Sequence, residues 1–272
     1  MTMLIFGGCA PETQTPTSIH PGKETAGELL SLLSSRSENM TPLKASGHCF
    51  LQYYTEEGKL KKENFPVKLW ANPPVELYIQ GDVAFNPKGI TIGSNKNEFW
   101  IAMKPKKINS YWWGEWSEGN RLERLMVNPK LILEAIGISA TEDIKNWSLS
   151  HDKGFDILTK QNGKIKIKKI FIDRYDYLIK KVEYFDFNGE VAIVMVLDEY
   201  KEAVSGFSIP SFVKITNYVE GSEKNWVQIT LGSVKSTDLT EKQQQLLFTR
   251  PEPKGFENIY QIIGGDIIEQ SQ

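Results

Sequence analysis

Between residues 25 and 35 apolar side chains return every three or four positions. Ala26, Leu29, Leu30, Leu32 and Leu33 make one stripe that ends before Pro42, the pattern of an amphipathic helix. Downstream the period drops to two. Over 47–55, Cys49, Leu51 and Tyr53 alternate with His48, Phe50, Gln52 and Tyr54, and Glu56-Glu57-Gly58 closes a strand. Further strands are predicted over 64–71, 75–80, 89–93, 98–103 and 110–113, punctuated by Asn72-Pro73-Pro74, Asn86-Pro87-Lys88-Gly89 and Lys104-Pro105. A second helix is marked by Asn128 as cap, Pro129 at its first position, the run Leu131-Ile132-Leu133 with Ile136, and Gly137 as the stop. A brief helix or turn over 141–147 follows. Strands then resume over 155–159, 164–173, 178–187, 191–200, 211–219 and 226–233, with Asn162-Gly163 and Asn188-Gly189 as hairpin turns. Thr240 and Gln243 have the spacing of a capping box opening a last short helix through Leu247.

These elements predict a mainly β (α+β) fold: a curved antiparallel sheet of about eleven strands forming an incomplete β-barrel, capped by a few short helices. With no repeat or second linker, 25–248 reads as one domain and 249–272 as a C-terminal tail. A sheet this wide must have its apolar inner face covered. The stretch from Val191 to Leu197 is apolar on both faces, whereas Lys164-Ile165-Lys166-Ile167-Lys168 alternates strictly and is expected to present a solvated face. Three or so short helices supply too few apolar stripes to fill the hollow, so an apolar cavity is expected. Its candidate lining, taken as one face of successive strands, is Leu69, Leu77, Ile79, Phe99, Ile101, Trp112, Val182 and Ile193.

The chain has 272 residues, with 32 basic and 34 acidic side chains and a formal charge of −2; a nucleic-acid binder would carry a positive excess. No apolar run approaches the roughly 20 residues of a membrane-spanning helix. The first residues end in Phe6-Gly7-Gly8-Cys9, which resembles a bacterial lipoprotein lipobox, although Phe6 stands where a smaller aliphatic is usual and no basic segment precedes it. The resemblance implies that 1–9 is the end of a signal peptide and that Cys9 is lipidated; the alternative is a buried N-terminal strand with a structural cysteine. Residues 10–24, with three prolines and Ile19 almost alone as an apolar residue, have the composition of a flexible tether, about 20 Å from end to end. Several acyl chains on one cysteine would give stable anchoring. The second cysteine, Cys49, reads as a small buried apolar residue without a disulfide partner.

The helix over 24–35 leads into the strand over 47–55. Next comes Phe65-Pro-Val-Lys-Leu-Trp-Ala-Asn-Pro-Pro-Val-Glu-Leu-Tyr-Ile-Gln-Gly-Asp82, then Glu98-Phe-Trp-Ile101, the hairpin Lys181-Val-Glu-Tyr-Phe-Asp-Phe-Asn-Gly189 and the return Ile209-Pro-Ser-Phe-Val-Lys-Ile215. In pattern and element order these features resemble the LolA/LolB-type lipoprotein carriers of bacterial envelopes, over most of residues 25–235. The resemblance implies an incomplete antiparallel barrel capped by helices, with acyl chains of lipoproteins or glycolipids held between them. It further implies that a membrane-anchored member receives or retains lipidated cargo.

Catalytic signatures do not appear. The three histidines, His20, His48 and His151, make no His-Glu-x-x-His, and there is no Cys-x-x-Cys, phosphate loop or Gly-x-Ser-x-Gly elbow. The carboxylates Glu115, Glu118, Asp173 and Asp176 read as solvated turns. Tyr111, Trp112, Trp113 and Trp116 form the densest aromatic cluster, suited to core packing, to lining a lipid cavity or to stacking on sugars. Lysines gather at 59–62, 104–107 and 164–169; on a tethered protein they could meet anionic headgroups, and solvated strand faces are the better reading because acidic residues offset them. The expected protein is a non-enzymatic, monomeric lipoprotein anchored through Cys9. It faces the periplasm, on the outer membrane, binds acyl chains of a lipid or lipoprotein, and uses no cofactor or metal. The alternative is a glycan- or protein-binding surface lipoprotein using 111–116, and an envelope hydrolase without a linear motif ranks last.

Overall fold

A computed structural model describes residues 18–38, 40–54, 58–83, 86–105, 108–116, 129–137, 145–204, 207–264 and 266–270. The lipobox, Cys9, the cap Asn128 and most of the brief helix predicted over 141–147 lie outside these residues. Within them are three helices, α1 (Ala26–Glu38), α2 (Pro129–Ala135) and α3 (Glu241–Phe248). The strands of the first half are β1 (Leu43–Tyr54), β2 (Leu60–Asn72), β3 (Glu76–Val83), β4 (Asn86–Ser94), β5 (Glu98–Met103) and β6 (Ser110–Glu115). The second half supplies β7 (Trp147–Asp152), β8 (Phe155–Asn162), β9 (Ile165–Asp173), β10 (Ile179–Phe185), β11 (Val191–Val204), β12 (Phe207–Val219) and β13 (Ser222–Ser236). Two short strands end the chain, β14 (Asn258–Ile263) and β15 (Asp266–Glu269).

All fifteen strands join one sheet in the order β15-β14-β6-β5-β4-β3-β2-β1-β13-β12-β11-β10-β9-β8-β7. Each half is a meander, so neighbours in sequence pair in space, and β1 joins the halves by pairing with β13. The sheet is large, curved and not closed into a barrel, in agreement with the expected fold class.

One face is the floor of the main core. Leu29 of α1 and Leu131, Ile132, Leu133 and Ala135 of α2 join it in a single cluster with inward side chains of strands from β1 to β13. Arg36 ties α1 down at the β9–β10 turn, where its guanidinium donates to the carbonyls of Tyr177, at 2.5 Å, and Asp176, at 3.3 Å. Burial lowers the Arg36 pKa, opposed by the charge of Asp176. The seven residues of α2 are about 10 Å long, yet α2 packs on β4 and also pairs Glu134 with Lys168 of β9. The sheet therefore curls far enough to bring two distant strands against one turn-and-a-half of helix.

The other face has its own, smaller core over β5 and β6. Trp100, Ala102 and Tyr111 pack there beneath Phe256, with the Tyr111 hydroxyl donating to the Pro251 carbonyl at 2.7 Å. α3 begins with the expected capping box, Thr240 and Gln243 exchanging bonds between side chain and backbone. The segment after it crosses the outer face and returns as β14, parallel to β6.

Four expectations are corrected. The stretch read as a C-terminal tail adds β14 and β15 to the sheet, and β7 occupies Trp147, which had been placed in a helix or turn. Residues 20–23 of the presumed tether are fastened to the body. His20 N–H donates to the Arg174 carbonyl at 2.9 Å, the Arg174 guanidinium returns bonds of 2.9 and 3.1 Å to the His20 carbonyl, and the Tyr177 hydroxyl donates to the Pro21 carbonyl at 2.9 Å. Such backbone-directed contacts need no apolar side chain, so composition does not announce them. On β9 the lysines do not share one solvated face: Lys164 and Lys166 are exposed, as are Ile165 and Ile167 opposite them, while Lys168 is only 4% exposed. Lys168 is in phase with Ile170 and Ile172, both buried, and period two carries it inward with them.

Candidate functional site

The registers place all eight candidate residues on the helix-covered face. Leu69 pairs with Ile79, Ile79 with Ile92, Ile92 with Ile101 and Ile101 with Trp112, one row running from β2 to β6. Leu77, Ser94 and Phe99 form the adjacent row. On the far side Val182 pairs with Met195 and Ile193 with Tyr184. Cys49, Ile229, Val213 and Leu197 connect the two sides through β1, β13, β12 and β11. Six of the eight share the main core, Phe99 packs with Ile262 in a satellite, and Trp112 touches both.

This face is covered. Apart from half-buried Trp112, none of the candidate residues is more than 5% exposed. The helices and the inward side chains of the sheet shield these residues from solvent.

Polar groups stand at one border of that floor. Tyr184 of β10, Lys168 of β9, Lys160 of β8 and Trp147 of β7 lie in one cross-strand row on the inner face. One step below are Val182, Ile170, Leu158 and Leu149. Glu134 descends from α2 into this row, bonding the Lys168 ammonium and accepting the Tyr184 hydroxyl. The Lys168 nitrogen also lies 5.3 Å from the centre of the Tyr184 ring, and that of Lys160 5.7 Å from Trp147. The Trp147 indole N–H is buried and has no hydrogen-bond partner among the described residues. Of these residues the sequence singled out only Lys168, as one of the surface lysines, although its phase with Ile170 and Ile172 was legible there.

The aromatic cluster divides between the two faces. Trp112 packs tilted against Tyr260 at 4.3 Å and Trp116 against Phe99 at 5.0 Å, with the Trp116 N–H donating to the Asn95 carbonyl at 2.7 Å. Tyr111 is fully buried on the outer side, and the Arg250 guanidinium covers the Trp113 ring at 4.1 Å. These rings are bound up in packing and offer no flat platform for sugars. Asp173 and Asp176 cap the β9–β10 turn through the backbone N–H groups of Tyr175 and Leu178. Among the described residues no group of three or more His, Cys, Asp or Glu side chains could hold a metal, and no helix is long and apolar enough to cross a membrane.

No family model matches the sequence, and no curated protein matches it. Solved structures do. A domain assigned as an outer membrane lipoprotein-sorting protein from Vibrio parahaemolyticus is 13% identical, with a TM-score of 0.55 over 81% of this chain and 97% of that domain. A LolA superfamily protein from Nitrosomonas europaea is 12% identical, with a TM-score of 0.51 over 84% of this chain and 99% of its own. A DUF1329 family protein from Desulfovibrio piger is 10% identical, with a TM-score of 0.50 over 80% and 94%. At such identities the likeness establishes the fold, which is LolA-like.

Proposed function

We propose that this LolA-like chain is a non-enzymatic lipoprotein of the bacterial cell envelope, anchored through acylated Cys9, and that its inner face binds acyl chains of a lipid or lipoprotein for carriage or retention. The carrying observation is the continuous apolar floor from Trp112 to Val182, which is roofed by two short helices instead of a second sheet. Burial of a hydrocarbon tail against such a floor would gain about 25 cal/mol for each Å² removed from water. That gain is available once α1 and α2 separate from the sheet, because a tail then replaces helix side chains of the same apolar character. A domain of the same fold is described as lipoprotein-sorting, and the three solved structures come from bacteria, which supports an envelope setting for this reading.

Two measurements test it. Protein isolated from bacterial membranes should carry lipid detectable by native mass spectrometry, and a consistently empty protein would overturn acyl binding. Cells fed a labelled palmitate analogue should incorporate it into the wild-type chain, while Cys9→Ala should lose the label and leave the membrane fraction. Equal labelling of both would refute the anchor. Binding of glycans through 111–116 is the weaker reading, since none of Trp112, Trp113 and Trp116 is exposed.

A further inference from the structure

The N-terminal segment is fixed to one particular end of the sheet. Because neighbouring strands here are antiparallel, the β7–β8 turn at 153–154 and the β9–β10 turn at 174–178 lie together: Asp152 pairs with Phe155, Phe155 with Asp173 and Ile172 with Ile179. The Arg174 backbone N–H donates to the Gly154 carbonyl at 2.9 Å and ties the two turns. The β8–β9 and β10–β11 turns are at the opposite end, where Asn162 pairs with Ile165 and Phe185 with Val191. Residues 20–23 seat on the first end. Besides the bonds to Arg174 and Tyr177, the His20 ring stacks on Tyr177 at 5.2 Å and the Lys23 N–H reaches buried Asp156 at 3.0 Å. A Cβ added to Gly22 would lie 2.9 Å from the His151 ring and 3.0 Å from Asp156 Oδ1, so the backbone lies flush against these side chains.

We propose that this clamp makes the end bearing the β7–β8 and β9–β10 turns the surface that faces the lipid bilayer, with Lys153, Arg174 and Tyr175 toward the head groups. The inference rests on the proposed acylation of Cys9 and adds the orientation of the body. Residues 10–19 span at most about 35 Å fully extended and about 16–19 Å on average as a coil. β9 alone, with nine residues, is about 30 Å long. With the clamped end down the tether is relaxed; with the opposite end down it must bridge the length of the sheet and is near its limit. Releasing 20–25, up to the start of α1, would add about 20 Å and remove that distinction. The side chains at the clamped end suit the contact. Ile19 and Tyr175 are 47% and 39% exposed, and tyrosine is favoured at the head-group level. Asp173 and Asp176 accept N–H groups of their own turn and Asp156 is buried, so these carboxylates are satisfied within the protein. Ile165, Ile167 and Phe187, exposed at the opposite end, are then held away from the anchoring membrane.

The test uses the full acylated chain, isolated from bacterial membranes and reconstituted on vesicles of phosphatidylcholine and phosphatidylglycerol that carry a rhodamine-labelled lipid. A fluorescein is attached at Lys153→Cys or at Asn162→Cys, both exposed positions at opposite ends, and energy transfer to the membrane dye is read. Transfer should be at least about twofold greater from 153 than from 162. Two further variants separate the clamp from the rest of the surface. Gly22→Leu blocks seating of the segment from a position outside the core, and a flexible Gly-Ser insertion of about twenty residues between Cys9 and Ser18 lengthens the tether while leaving the clamp intact. Each should bring the two positions close to equal transfer. Equal transfer without either change, or stronger transfer from 162, would overturn the orientation. A difference that persists unchanged in both variants would overturn the clamp as its cause. A chain that does not sediment with the vesicles at all would overturn the anchor at Cys9, and this inference with it.

Discussion

Cys49 lies on the inner face opposite Phe65 and Ile229, and burial pushes its thiol from 9.0 up to about 12. The folded chain keeps this proton where the unfolded chain releases it, so the stabilisation is complete below pH 9.0 and falls as pH climbs from there toward about 12. Urea midpoints measured from pH 8 to 11 should decline, and Cys49→Ala should decline less steeply over the same range. Maleimide should fail to label Cys49 at pH 8 until denaturant is added, since the thiolate is the reactive form. Gly93 carries a different constraint. The Trp100 ring lies so close over it that an added Cβ would sit 2.1 Å from a ring carbon, and Trp100 is fully buried with little room to yield. Gly93→Ala should therefore cost about 1–3 kcal/mol, an overpacking penalty readable by denaturant unfolding. The pairing of a large ring with a glycine one strand away was present in the sequence, but only the register of β4 with β5 reveals it.

At the scale of elements, the strands that alternate cleanly were the legible ones. The predicted 98–103 is the observed β5, and the Asn162-Gly163 and Asn188-Gly189 turns end β8 and precede β11 as read. β14 and β15 escaped because their isoleucines, Ile259, Ile262, Ile263, Ile267 and Ile268, follow a polar, proline-containing stretch that resembles a tail, and pairing with β6 is what orders them. The fastening of 20–23 escaped for a related reason, its partners being more than a hundred residues away. Its centre is Asp156, fully buried, which accepts the Lys23 N–H at 3.0 Å, lies 2.8 Å from His151 Nδ1 and is 3.9 Å from Arg174 Nε. Asp156→Ala should leave these donors without their acceptor, costing about 1–3 kcal/mol. The loss is local to the N-terminal segment and its turn, so trypsin should cut after Lys23 faster in the variant than in the wild type, ahead of any cut in β1 or β12. Equal cleavage rates would show that Asp156 does not hold this segment.

On the scale of the whole molecule, the fold sets a long sheet of mutually paired strands against a helical layer tied to it by apolar packing and a few side-chain contacts from Arg36 and Glu134. β1 is paired along its length on both sides, and β12 and β13 are central strands likewise, so opening any of them breaks two ladders at once. α2 has seven residues, begins with a proline, and is held by its apolar face and the Glu134 contacts; a helix this short has little stability apart from its packing. Local opening free energies differ across a structure according to such contacts. Amide exchange should accordingly be slowest in β1, β12 and β13 and distinctly faster in α2, with α1 between them because Leu29 and Arg36 fix it at two points. If the inner face takes up hydrocarbon by parting helix from sheet, an acyl ligand should change exchange in α1 and α2 while leaving the central strands as they were. Exchange that is uniform over helices and sheet, or ligand effects confined to the outer face around Trp100 and Phe256, would show that the two layers open as one cooperative unit and that the floor is not the site.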